Sequence, residues 1–221
     1  MNYIPEKNLK GQANAIPITS VMELIKLVQK RICKINFSEG TGTGFFCNIN
    51  IDDWDNSLKV RVLITNRHVL NEDDIKPGKK IRFSMNNEEQ NYEIEIDKER
   101  KIYTSEIYDI TMIEMRKEDG IKIDSFFEID DNINNPDYNF KNKSIYLLHY
   151  PKGKEMFYSQ GTIKNVGEGK NNYEIEHLCD SDHGSSGGPL INSIDYKVIG
   201  IHKGGSTKFN YNCGTLLERP I

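Results

Sequence analysis

From Ile32 onward the chain is a succession of short apolar segments, each closed by glycine, proline or a polar turn, and that cadence predicts a sheet protein. Ile32 to Phe37 alternates in polarity. Phe45 to Ile49 follows a glycine turn, and Val60 to Ile64 follows a polar loop. Ile81 to Met85, Tyr92 to Ile96 and Ile110 to Met115 continue the pattern. Residues 116–142 are polar and rich in Asn and Asp, and read as a crossover. Strands resume at Ser144 to Leu148, Gly161 to Ile163, Tyr173 to Leu178, Pro189 to Ile191, Val198 to Ile201 and Cys213 to Leu217. Strands this short and this many pack as a sandwich or as barrels. Ahead of them, residues 1–19 read as a polar tail. Ser20-Val21-Met22-Glu23 is a capping box, and Val21, Leu24, Ile25, Val28 and Ile32 fall at helical spacing. The expectation is a short amphipathic helix over 21–31, docked on the body.

Composition narrows the function. A chain of 221 residues with net charge -4 is large enough for a real core and is not basic enough for a nucleic-acid binder. No run of about 18 apolar residues exists to span a membrane, and the start Met1-Asn2-Tyr3-Ile4-Pro5 lacks the layout of a secretory signal. Cys33, Cys47, Cys179 and Cys213 are therefore expected as free thiols in a reducing compartment, the cytoplasm.

The chemistry concentrates in Gly184-Ser185-Ser186-Gly187-Gly188-Pro189. The glycines leave the backbone around one hydroxyl unobstructed, as a nucleophilic serine and its oxyanion donors require. A serine needs a base, and histidine has the suitable pKa. His68 closes the apolar run Leu63-Ile64-Thr65-Asn66-Arg67-His68, where a loop can project it. His149, His177 and His183 read as ordinary core or surface histidines. The base needs a carboxylate to orient it, and Asp109 heads the apolar strand Ile110-Thr111-Met112-Ile113.

His68, Asp109 and Ser186 follow one another in the order His, Asp, Ser, and in this the chain resembles the chymotrypsin-like serine proteases. Thr65-Asn66-Arg67-His68 is similar to the family's Thr-Ala-Ala-His. Thr41-Gly42-Thr43-Gly44-Phe45 is similar to its early glycine hairpin, and Val198 to Gly205 to the strand lining its specificity pocket. The resemblance implies an all-β fold of two six-stranded antiparallel Greek-key barrels. It divides the chain into a tail and helix (1–31), a first barrel (32–120), a linker (121–143) and a second barrel (144–221). Val69 and Asp182 stand where secreted members carry cysteines, and Ser185 replaces the acid that receives a newly cut N-terminus. The resemblance is therefore to bacterial trypsin-like and glutamyl-endopeptidase-like members lacking the secreted disulfides, with no proteolytic activation.

As implied by the resemblance, Ser186 attacks a peptide carbonyl, His68 transfers the proton and Asp109 orients His68. Backbone N–H groups of Gly184, Ser185 and Ser186 form the oxyanion hole. No metal or cofactor is required; a zinc site of His177, Cys179 and His183 has one cysteine and loose spacing. Asp180, Ser181, His202, Gly204 and Gly205 are expected to line the substrate pocket. His202 with Ser181 favours Glu or Gln at P1; Asp180 offers the alternative of Lys or Arg. A catalytically silent binding module on the same fold is the rival reading. The partners expected are a protein or peptide substrate, with no nucleic acid and no membrane. The end at Leu217-Glu218-Arg219-Pro220-Ile221, without a closing helix, raises the possibility of a fused or associated regulatory domain.

Overall fold

The structure, a computed structural model, describes residues 18–38, 40–53, 56–86, 89–133, 135, 138–167, 173–205, 210–218 and 220. The tail expected over 1–17 lies outside the described residues. Helix α1 (Ile18–Arg31) leads into β1 (Ile32–Phe37), β2 (Gly40–Asp53), β3 (Asn56–Thr65), β4 (Lys80–Met85), β5 (Gln90–Glu95), β6 (Ile102–Ser105) and β7 (Ile110–Glu114). The second half holds β8 (Ser144–His149), β9 (Phe157–Val166), β10 (Glu174–His177), β11 (Pro189–Asn192), β12 (Val198–Gly205) and β13 (Asn212–Leu216). No helix among the described residues is long and apolar enough to cross a membrane.

Period-two alternation explains how the halves join. On β2, Phe45, Cys47 and Ile49 belong to one buried cluster and Phe46 to another. On β3, Val60, Val62 and Ile64 separate from Leu63 in the same way, and on β7 Ile110 and Met112 separate from Ile113. One face of the first sheet thus closes its own core. The other shares a core with β8, β11 and β12. Leu24 and Val28 of α1 pack into that shared core, each burial contributing about 1.5–3 kcal/mol. The helix starts at Ile18, so Ser20 lies inside its first turn rather than capping it.

The architecture is chymotrypsin-like, with one departure from the expected pair of six-stranded barrels. The second half closes as a six-stranded barrel in the order β10-β13-β12-β11-β8-β9. The first half is a seven-stranded sheet, β5-β4-β1-β2-β3-β7-β6, forming a half-barrel. Its end strands, β5 and β6, do not pair; the turn between them is held by the Asp97 side chain, which accepts the N–H groups of Glu99 and Arg100. The added strand β6 is short, half-exposed and without alternation.

Gly42 and Gly44 do not form the turn expected of them. Both lie inside β2, paired with Ile35 and Cys33 of β1. A Cβ on Gly42 would stand 2.5 Å from Val69 Cγ1, so this glycine admits the loop that carries His68.

Beside the turn at Asp97, Arg100 and Asp119 form a bidentate pair at 2.7 and 2.9 Å, with side chains only 4% and 5% exposed. Removing one member leaves the other charge buried alone. Asp119→Ala should lower unfolding free energy by about 3–5 kcal/mol in a denaturant titration. A loss below about 1 kcal/mol would show that the pair does not hold this end of the sheet.

Candidate active site

The site forms where loops of both halves meet, and Thr43 of β2 ties them. Its N–H donates to Ser186 O at 2.8 Å. Its hydroxyl donates to Gly184 O at 2.7 Å and accepts from Tyr150 N–H at 3.0 Å. Its carbonyl accepts from the Thr65 hydroxyl at 2.8 Å. Thr43 and Thr65 are fully buried. Gly187 passes so close that a Cβ there would lie 1.9 Å from Thr43 O, and its φ of +90° also selects glycine.

Past Thr65 the chain makes a turn in which Asn66 O accepts the N–H groups of Val69 and Leu70. That turn presents His68. Asp109 sits immediately before β7 in the left-handed region, with φ +50°. Asp109 O accepts from Asn66 Nδ2 at 2.8 Å, and its carboxylate accepts from His68 N–H at 3.1 Å. His68 Nδ1 lies 2.8 Å from Asp109 Oδ2. A carboxylate there favours the tautomer with the proton on Nδ1, which leaves Nε2 as an acceptor. The His68 side chain is 48% exposed and that of Asp109 20%. The imidazole is therefore open to the cleft while the carboxylate is sheltered.

Ser186 shares with His68 a cleft of about 480 Å³, walled also by Thr41, Lys152, His183 and Gly184. The Ser186 hydroxyl donates to Lys203 O at 3.0 Å rather than to His68. The N–H groups of Gly184 and Ser186 donate to no group among the described residues, so both are free to meet an anion. Ser185 differs: its N–H donates to Asp182 O at 3.0 Å, which corrects its inclusion among the oxyanion donors.

The residues expected to line the substrate pocket do not gather on one surface. Asp180 and Ser181 line a cavity of about 570 Å³ with His149, Phe157, Tyr158 and Asp182. Asp180 N–H donates to Ser159 Oγ at 2.7 Å. His202 is 1% exposed on β12, and Gly204 and Gly205 follow it there. No bond joins His202 to Asp180; instead its Nδ1 lies 3.1 Å from His177 Nε2. His177 Nδ1 accepts the N–H of Cys179 at 3.3 Å. That donor forces the His177 proton onto Nε2, which then donates to His202 Nδ1, so His202 carries its own proton on Nε2. Burial pushes the His202 pKa well below its usual value, and neighbouring His177 lowers it further. Burial likewise lowers His149 and His177 to about 4.

Among the described residues no three acidic, His or Cys side chains gather as metal ligands. All four cysteines are free thiols. Burial raises Cys179 to about 12 and pushes Cys33 and Cys47 up further still, so none of the three is a nucleophile. Sequence reasoning missed Thr43 and Asn66, and set His149 aside. The threonine–glycine alternation around Thr43 was the available signal.

The sequence pattern of the trypsin-like peptidase domain matches residues 42–201. Among solved structures, the serine endoprotease from Yersinia pestis superposes with a TM-score of 0.63 at 16% identity, over 91% of this chain and 64% of that one. The present chain thus spans less than two thirds of that protein. The Rv3671c protease of M. tuberculosis, in an inactive form, gives 0.62 at 15% identity over 92% of each chain. Deg5 gives 0.62 at 20% identity over 91% of this chain and 90% of that one. At these identities the likeness is one of fold. Curated protein sequences give no match.

Two predictions follow from this geometry. Thr43→Val keeps the shape but removes the hydroxyl that bonds to Tyr150 N–H and Gly184 O, and should cost about 1–3 kcal/mol in a denaturant titration. An unchanged midpoint would mean that the hydroxyl does not hold the seam. The second concerns acid. His149 and His177 have folded-state pKa values of about 4, below the unfolded value near 6.5. The unfolded chain therefore binds protons first as pH falls through 6.5, and stability drops until pH reaches about 4. Unfolding free energy should fall by about 2 kcal/mol per histidine between pH 7 and 5. Stability that is flat over this range would contradict their burial as neutral rings.

Proposed function

The chain belongs to the trypsin-like peptidase domain family, and from that premise we propose that it is a serine endopeptidase whose triad is His68, Asp109 and Ser186. The observation that carries this reading is the 2.8 Å contact between His68 Nδ1 and Asp109 Oδ2 at a cleft shared with Ser186. In the reaction Ser186 Oγ attacks the peptide carbonyl carbon and passes its proton to His68 Nε2. The imidazolium, stabilised by Asp109, returns that proton to the leaving amine. The N–H groups of Gly184 and Ser186 hold the oxyanion, each such donor contributing about 2.7–4 kcal/mol. A water then attacks the acyl-enzyme by the same route, releasing the acid and restoring Ser186.

For P1 we favour Gln or Glu. His202 is neutral and carries its proton on Nε2, a donor suited to a side-chain carbonyl or carboxylate oxygen. It adjoins Lys203, whose carbonyl accepts the Ser186 hydroxyl. Asp180, which would select Lys or Arg, lines the cavity of His149 and Phe157. The rival reading of a silent module draws on one observation, the Ser186 hydroxyl bonded to Lys203 O instead of the base.

Ser186→Ala should abolish peptide cleavage and labelling by a fluorophosphonate, which phosphonylates an activated serine. Asp109→Asn should lower kcat by about 10⁴-fold by favouring the wrong tautomer. Full cleavage by the Ser186→Ala protein would overturn the assignment. Wild-type protein that is folded but neither labels nor cleaves would favour the silent module. A peptide library should give Gln or Glu at P1, and a strict Arg/Lys profile would reverse the preference.

A further inference from the structure

Ser185 and His149 form a buried pair that the reaction as described does not use. Ser185 is fully buried and His149 is 4% exposed. His149 Nδ1 lies 2.6 Å from Ser185 Oγ, and the same oxygen accepts the N–H of Asp182 at 3.0 Å. Their hydrogen bonds fix the polarity. The Ser185 hydroxyl has one proton and no described partner for it other than Nδ1, so it donates and the imidazole accepts. The ring remains neutral because burial lowers its pKa to about 4.

Position gives the pair its importance. Ser185 lies between Gly184 and Ser186, whose N–H groups are the free donors of the cleft. Gly184 and Gly187 take φ of +85° and +90°, left-handed conformations that the surrounding contacts must hold in place. Asp182 and Ser185 brace each other through two bonds, Ser185 N–H to Asp182 O and Asp182 N–H to Ser185 Oγ. Both belong to the same loop and cannot anchor it. His149 can: it ends β8, which pairs with both β9 and β11 in the closed barrel.

We propose that His149 and Ser185 act as one positioning device that holds the Gly184–Ser186 backbone in oxyanion-binding form. The proposal rests on the peptidase reading above. Neither residue touches the reacting atoms; they act through the backbone N–H groups. Loss of the bond should therefore weaken the transition state more than the ground state.

The test compares Ser185→Ala, His149→Ala and the double variant for cleavage of a peptide that the wild type cleaves. Each single change should lower kcat about tenfold or more, with KM within about threefold. The double variant should be no worse than the poorer single one, since both remove the same bond. His149→Asn, whose amide oxygen can stand near the Nδ1 position, should recover part of the loss. His149 borders the 570 Å³ cavity, so added imidazole should enter the His149→Ala protein and raise kcat. A merely structural role predicts no such rescue. Single variants within about twofold of wild type, losses that multiply in the double variant, or no recovery with either Asn or imidazole would overturn the proposal. A wild type that neither labels nor cleaves overturns the peptidase reading first, and the positioning role with it.

Discussion

Thr43 is the point on which the geometry of the cleft depends. It is one residue of a first-half strand, yet its N–H and hydroxyl hold the Gly184–Ser186 loop, its hydroxyl also meets Tyr150 N–H, and its carbonyl holds Thr65. In a buried seam each of these groups is costly to leave unmade, so the segments cannot drift independently. The close passage of Gly187 adds a steric constraint: contact with Thr43 O leaves no space for a side chain. The Ser186 loop is therefore registered against the first half by backbone as much as by side chains. Asp109 is held in the same manner, since its left-handed backbone is clamped by Asn66 on the turn that carries His68. Strain of this kind persists where the surroundings over-determine it.

Three of the five histidines are buried, and water plays little part in setting their state. Burial removes the solvation that an imidazolium needs, so His149, His177 and His202 are neutral rings. A neutral ring has one donor and one acceptor, and the fixed donor Cys179 N–H decides the order along the His177–His202 chain. At His149 the Ser185 hydroxyl decides it. His68 differs because it is half-exposed and faces a carboxylate. The four rings thus divide by environment into one that is half-exposed beside a carboxylate and three that retain fixed polarity.

Much of this was legible in the sequence, and the failures have physical causes. The inner strands of the first sheet were found as short apolar runs between turns, because both faces are covered and Phe45 and Phe46 are equally buried on opposite sides. β6 was missed because Ile102 to Ser105 sits half-exposed at a sheet edge, where nothing enforces a period of two. Gly42 was misread as a turn residue because sequence cannot distinguish a glycine needed for conformation from one needed for space. The half-barrel was not foreseen, since whether the end strands of a sheet meet is set by its curvature and not by any local pattern of residues. The substrate pocket was the least legible part. Position in sequence groups Asp180 with His202, whereas the fold directs them to different surroundings. His149 was passed over because its partner is 36 residues away and its role exists only in three dimensions.

The resting position of the Ser186 hydroxyl bears on how such a site is kept quiet. A hydroxyl has one proton, so donation to Lys203 O excludes donation to His68 Nε2. Exchanging one acceptor for the other costs about 0.5–1.5 kcal/mol, the net value of a hydrogen bond. That is small beside the barrier to amide cleavage, and also beside what two oxyanion donors contribute. A Ser186 hydroxyl resting on the Lys203 carbonyl is therefore compatible with the nucleophilic role proposed for it. Lys203 lies on β12, in the segment next to His202, so a peptide bound along that strand would lie close to the carbonyl that holds the proton. Thr43 bonds to Gly184 O and Ser186 O, and His149 to the Ser185 hydroxyl, so the segment is held by buried bonds from two sides.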